Sequence, residues 1–133
     1  MMPVVNPDAL AIITIWQEAQ GEPYEGKVAV GEVIRERMQR NYNGDGTVAG
    51  TVAAPAQFSG WDDRKFLIRA LKLNDGDPVV QECIRAWNQS RDTNYTHNAV
   101  LYCNLATVPH RPSWARDDKQ VCQIGHHTFY RDP

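Results

Sequence analysis

The chain has 133 residues, 42% of them apolar and 23% charged, the proportions of one globular domain with its own core and no room for a second. Its 14 Lys and Arg against 16 Asp and Glu leave no basic field to hold nucleic acid or an anionic membrane, so any anionic polymer has to be gripped locally. The start, Met1-Met2-Pro3-Val4-Val5-Asn6-Pro7-Asp8, lacks the positive segment of a signal peptide, and the apolar run Ala9 to Trp16 is too short to span a bilayer; synthesis in the cytoplasm without membrane insertion is the expectation.

Asn6-Pro7-Asp8 predicts a helix start, because Asn can cap free amides and Pro at the first helical position loses no hydrogen bond. The helix should run to about Gln20 and stop at Gly21. Ala9, Leu10, Ala11, Ile12, Ile13, Ile15 and Trp16 leave it almost no polar face, the pattern of a helix buried on nearly all sides, and it is expected to be central. Glu22-Pro23 opens a second helix, with Val28, Ala29, Val30, Val33, Ile34 and Met38 at helical spacing and Lys27, Glu32, Arg35, Glu36 and Arg37 on its wet side. The stretch from Asn41 to Gly60 reads as a long surface loop. Arg64 to Leu73 predicts a short helix, and Asp77-Pro78 starts a clearer one with Val80, Cys83, Ile84 and Trp87 on one face.

Ala99 to Asn104 and Gln123 to Arg131 are rich in β-branched and aromatic residues and are expected to pair as antiparallel strands. The fold class is therefore α+β, a small, mainly helical single domain over residues 1–133 with a short antiparallel sheet. Cys83, Cys103 and Cys122 are odd in number and have no metal-type spacing, so reduced, packed thiols are expected; whether Cys103 and Cys122 pair stays open.

Glu18 sits near the negative end of a helix dipole, among Ile and Trp side chains that withhold water. Both effects disfavour its carboxylate and should raise its pKa from the reference of about 4.3, which suits protonation of a glycosidic oxygen; a solvated helix-end residue is the alternative. Glu22 lies beyond the helix-ending Gly21 and is suited to capping the next helix. Glu25, Glu32 and Glu36 read as solvated charges. His126 and His127 are adjacent, so in a strand they face opposite ways, and with His97 and His110 they make no zinc spacing. No metal or cofactor is expected.

Glu18-Ala19-Gln20-Gly21-Glu22-Pro23-Tyr24-Glu25-Gly26-Lys27-Val28-Ala29-Val30-Gly31 resembles the signature of the spore-cortex-lytic and related cell-wall hydrolases of the SleB and CwlJ type. The resemblance continues in Val33-Ile34 and Arg37, in Pro55-Ala56-Gln57-Phe58-Ser59, in Ala99 to Asn104, in Ser113-Trp114, and in Ile124-Gly125-His126-His127-Thr128-Phe129-Tyr130-Arg131. It implies that Glu18 is the catalytic acid/base of a domain related to lysozyme-like and resuscitation-factor-like folds. The implied substrate is the glycan strand of peptidoglycan, cut between N-acetylmuramic acid and N-acetylglucosamine. Gln57, Phe58, Ser59 and Trp61 would come from a loop facing the cleft, and Tyr102 and His127 from the β part; Glu22 and Trp114 join them as substrate-binding candidates. The rings of Trp61, Tyr102 and Trp114 can stack on sugar faces, or equally cap the core.

The family points to a lytic transglycosylase, which needs one acid. Hydrolysis by a muramidase would need a second carboxylate, for which Asp62 and Asp63 are the candidates. A peptidoglycan-binding module without activity, or a structural part of a virion, belongs to a different class. A monomer is expected, and a leaderless wall-cutting chain suggests a phage lysin or virion component. Gln20, Trp16-Gln17 and Leu105 depart from the family pattern and bear on substrate fit. They leave the acid in place.

Overall fold

A computed structural model of the protein describes residues 7–53, 57–58, 61, 64–65, 69 and 72–132. Helix α1 (Pro7–Ala19) has apolar residues on nearly every side and is surrounded accordingly: it packs against α2 (Tyr24–Arg40), α3 (Val48–Val52) and α4 (Pro78–Gln89). Ala11, Ile15, Trp16 and Ala19 are buried with Val30 and Ile34 of α2 and Val80, Cys83 and Trp87 of α4. Each large side chain fully buried here contributes roughly 1.5–3 kcal/mol. Where α2 crosses α4, Gly31 is required by space: a Cβ there would sit 2.8 Å from Ser90 Oγ.

The helix ends follow local chemistry. Asn41 closes α2 in the left-handed conformation (φ 51°), its N–H reaching the carbonyls of Arg37 and Met38. Asp77 caps α4, its carboxylate accepting the Val79 N–H at 2.8 Å. The expected surface loop from Asn41 to Gly60 is interrupted by a short helix, and residues 54–56 and 59–60 lie outside the described residues. Thr47 Oγ1 accepts the Gly50 N–H at 3.0 Å and caps α3, which buries Val48, Thr51 and Val52. Five residues are too few to show a helical period, which is why the sequence reads as loop. Arg64, Lys65 and Arg69 are helical, in agreement with a helix in that segment, and the rest of that expectation lies outside the described residues apart from 72 and 73, which are not helical.

Strands β1 (Leu101–Cys103), β2 (Gln120–Ile124) and β3 (His127–Tyr130) form one antiparallel sheet in the order β1-β3-β2. Leu101 pairs with Tyr130 and Cys103 with Thr128, an antiparallel pairing of the two expected segments, but Gln123 to Arg131 is not the single strand expected: it holds the end of β2, the turn at Gly125-His126, where glycine supplies a positive φ, and β3, with Ile124 paired to His127. The start of β2 lies earlier than the residue pattern indicates. It follows the short 3-10 turn Asp117–Lys119, and the adjacent apolar residues Val121 and Cys122, at an irregularity in the register, break the alternation that would mark a strand.

The two faces of the sheet do different things. Tyr102, Phe129, Cys122 and Ile124 lie on the face that packs on Ala29 and Val33 of α2, while Leu101, Cys103 and Tyr130 meet Ala115 and Trp114 on the other. Cys103 and Cys122 therefore occupy opposite faces on either side of β3, and both are free thiols. Cys83 is free as well, its thiol pushed up to about 12 by burial. Among the described residues no helix is long and apolar enough to cross a membrane.

Candidate active site

Glu18 lies in the last turn of α1, half-buried, where the helix meets the α2-facing side of the sheet. Tyr102 on β1 donates its hydroxyl to Glu18 Oε1 at 2.7 Å. Burial pushes the Tyr102 phenol well above its ordinary value, and the neighbouring Glu18 adds to this. Tyr102 is therefore a neutral donor at any working pH.

Arg37 stands behind this pair, 4% exposed. Its Nε donates to the Val100 carbonyl at 2.6 Å, and its Nη1 makes a long contact of 3.5 Å with Gln57 Oε1. The guanidinium lies 4.7 Å from the Phe58 ring centre and 5.6 Å from that of Tyr42. Burial lowers its pKa, opposed by Tyr102, Tyr42 and Glu18. Helical spacing assigned Arg37 to a wet face, and this is corrected: α2 is enclosed by α1, α4 and the sheet, and Lys27 and Glu32 are buried with Arg37. Lys27 pairs with Glu82 at 3.2 Å, and Glu32 accepts four hydrogen bonds from Thr93, Tyr95 and Thr96. The reading of Glu32 as a solvated charge is overturned by those bonds.

Glu22 does not cap α2. Pro23 is the N-cap residue and no side chain caps it; the carboxylate of Glu22 instead reaches the β2–β3 turn. It accepts the His126 N–H at Oε1 (2.6 Å) and faces His126 Nδ1 at Oε2 (2.7 Å). Gly125 makes this approach possible: its φ is +59°, and a Cβ would lie 2.5 Å from Glu22 Oε1. Burial alone would raise the Glu22 carboxyl, but the two bonds from His126, with the charges of His127 and His126, outweigh it and hold the group below its ordinary value.

His127 stacks on Tyr102 with ring centres 4.8 Å apart, and its buried Nδ1 lies 4.0 Å from Glu22 Oε1 with no hydrogen-bond partner. Burial holds its pKa below the ordinary value, Glu22 pulls the other way, and His126 adds to the lowering. Glu18, Tyr102, His127 and Glu22 thus follow one another in a chain of successive contacts.

The remaining candidates divide. Trp61 donates Nε1 to Thr14 Oγ1 at 2.8 Å, one turn before Glu18 on α1. Phe58 is 1% exposed and lies under Arg37, and Gln57 also touches Asn43 Nδ2 at 3.4 Å. Trp114 packs edge-on to Tyr130 at 5.5 Å, on the sheet face away from Tyr102. Ser59, Asp62 and Asp63 lie outside the described residues. Arg37 and His126 were not among the site candidates, although both fall within the segments that carry the family resemblance.

The site has a measurable acid signature. His127 takes its proton at lower pH folded than its ordinary 6.5, so below that value the unfolded chain binds more protons and stability falls as pH drops. Glu22 acts in the same direction lower down: its contribution is present above the ordinary 4.5 and is lost as pH falls through the depressed folded value. Melting temperatures should decline once the pH passes below about 6.5, and His127→Phe should flatten the upper part of that decline. An equal slope in wild type and variant would remove His127 as its origin.

Residues 21–130 match the family described as Cell Wall Hydrolase. The spore cortex-lytic enzyme of Oceanobacillus iheyensis is 35% identical over 125 residues, covering 93% of this chain and 41% of that protein. The spore cortex-lytic enzyme of Bacillus subtilis is 30% identical over 124 residues, covering 93% and 37%. The chain spans about two fifths of the length of these relatives. Among solved structures, the catalytic domain of the germination-specific lytic transglycosylase SleB from Bacillus anthracis superposes with a TM-score of 0.75 at 27% identity, over 98% of this chain and 100% of that one. The catalytic domain of the Bacillus cereus SleB protein gives 0.68 at 26% identity, over 98% and 94%. The small α+β fold expected from the sequence is the fold of these domains.

Proposed function

The chain belongs to the cell wall hydrolase family, and from that membership and the surroundings of Glu18 we propose that it cuts peptidoglycan glycan strands as a lytic transglycosylase. The observation that carries the reading is the half-buried Glu18, held at 2.7 Å by the neutral hydroxyl of Tyr102. A single carboxyl so oriented can serve twice. Protonated, Glu18 gives its proton to the oxygen bridging N-acetylmuramic acid to the next sugar, and the bond from that oxygen to the anomeric carbon breaks. The substrate's acetamido group stabilises the positive charge left at that carbon. The Glu18 carboxylate then takes the proton of the same sugar's hydroxymethyl group, whose oxygen bonds to the anomeric carbon and closes an anhydro ring. Glu18 is restored as the acid and no water is consumed.

Hydrolysis, the second reading, needs another carboxylate, either directing water at about 6.5–9.5 Å from the first in inverting enzymes or acting as nucleophile at about 5 Å in retaining ones. Glu22 is linked to Glu18 through His127 and Tyr102, but both its oxygens are engaged by His126. That favours the one-acid route. Mass spectrometry of muropeptides released from purified sacculi, before and after borohydride reduction, tests the choice. The expected products end in anhydro-muramic acid, one water lighter and inert to borohydride. Products that are all reducible would replace the transglycosylase by a muramidase.

A further inference from the structure

His127 opens β3, on the same sheet face as Phe129 two residues on and as Tyr102, which pairs with Phe129. Its ring therefore lies against the aromatic side chain that holds the acid, with centres 4.8 Å apart. The two ring nitrogens meet different surroundings. Nδ1 is buried without a hydrogen-bond partner, 4.0 Å from Glu22 Oε1. The side chain keeps 12% of its surface exposed, and because Nδ1 is buried that exposure belongs to its other atoms. Among the described residues no hydrogen bond reaches Nε2.

Glu22 is fixed at both ends. Lys27 Nζ donates to its carbonyl at 2.5 Å, while the N–H and ring of His126 engage its two carboxylate oxygens beside the glycine that leaves them room. An imidazole with a bare Nδ1 toward that carboxylate would set two acceptors against each other where little water comes between. With the proton on Nδ1 the same approach is attractive, and Nε2 becomes the bare, accepting nitrogen.

We propose that His127 binds the glycan, its Nε2 accepting a hydrogen bond from a hydroxyl or amide N–H of a sugar beside the acid, and that Glu22 is the positioning residue that holds the imidazole in the accepting tautomer. The inference rests on the one-acid reading above and adds to it a substrate contact and its support. A sugar strand is rich in O–H and N–H donors, and each one taken out of water needs an acceptor. The Tyr102 hydroxyl is engaged by Glu18, and both Glu22 oxygens by His126. His127 supplies an acceptor that stays neutral, since burial holds its pKa below the ordinary 6.5. Protonation would turn Nε2 into a donor and lose the bond. The titratable and charged groups about the ring are Glu22 from the chain between α1 and α2, His126 from the β2–β3 turn and Tyr102 from β1, with Glu18 of α1 and Arg37 of α2 behind Tyr102.

The test has a spectroscopic arm and a kinetic one. Long-range 1H–15N correlation spectra of the protein with labelled histidine, above neutral pH and assigned against His127→Phe, should show the His127 proton on Nδ1. In Glu22→Met, which offers Nδ1 no acceptor, the proton should move toward Nε2. A wild-type proton on Nε2 overturns the proposal, and so does a tautomer that ignores the loss of Glu22. On purified peptidoglycan, His127→Phe should lower kcat/KM by about tenfold, the usual range for a donor left unpaired. His127→Gln, whose amide oxygen reaches the place of Nε2, should stay within about threefold of wild type. Its acid limb should also move to lower pH, because an amide takes up no proton there. Equal losses in the Phe and Gln variants would make His127 structural only and overturn the proposal; an unmoved acid limb in His127→Gln, or unchanged turnover in His127→Phe, overturns it too. If a variant does not fold, the wild-type tautomer decides. That arm needs no activity, so a chain that cut nothing would sink the transglycosylase reading and still show whether Nε2 is the accepting nitrogen.

Discussion

Glu18→Gln is expected to lower cleavage of purified sacculi by a factor of about 100 or more, the usual contribution of an essential general acid. The amide is nearly the size and shape of the acid and can still accept the Tyr102 hydroxyl, so melting temperature and binding to sacculi should stay close to wild type. What the amide cannot do is release a proton to the bridging oxygen or take one from the hydroxymethyl group, and both halves of the reaction stop together. The same experiment separates an enzyme from a binding module or a virion structural part, since neither would change. A variant retaining more than about a tenth of wild-type turnover would exclude Glu18 as the acid.

The largest expected effect on stability comes from a residue outside the site. Glu32, 6% exposed on α2, accepts hydrogen bonds from Thr93 Oγ1 at 2.5 Å, Tyr95 N at 3.0 Å, and Thr96 N and Oγ1 at 2.9 Å each. These four bonds tie the chain leaving α4 to α2, just ahead of β1. Glu32→Ala leaves the donors of Thr96, which is 1% exposed, without partners, at about 1–3 kcal/mol for each buried group. A loss of about 3 kcal/mol or more is expected, or on the order of 10 °C in melting temperature for a domain of this size. Glu32→Gln, which keeps one acceptor, should fall between. A loss under about 1 kcal/mol in the Ala variant would mean that water replaces the carboxylate and that the loop is held by other contacts.

The sequence was most legible where one element decides its own fate. The apolar wrap of α1 announced a central helix, Asp77-Pro78 announced the start of α4, and the β-branched run through Tyr102 announced a strand. Glu18 could be singled out as a candidate because its motif is contiguous. Residues whose environment is supplied from far along the chain were misread. Helical spacing put Glu32 and Arg37 on a wet face because the groups that satisfy them, Thr96 and Val100, lie 64 and 63 residues away. Glu22 looked like a cap because a helix start lay next to it, while the turn that takes its charge lies 104 residues on. Periodicity reports which side of a helix is polar. It does not report whether a second layer will cover that side.

Those long separations also set a clock. Glu18 meets Tyr102 across 84 residues, and Glu22 meets His126 across 104. Helices α1, α2 and α4 need only local contacts and can form within microseconds, whereas contacts between distant parts of the chain must first close large loops and arrive later. When the denatured chain refolds, helical ellipticity should return ahead of the proposed cutting activity, because Glu18 stands on its helix before β1 has docked to meet it. A chain stalled at the helical stage carries the nucleus of the core and lacks the joined Glu18–Tyr102 pair.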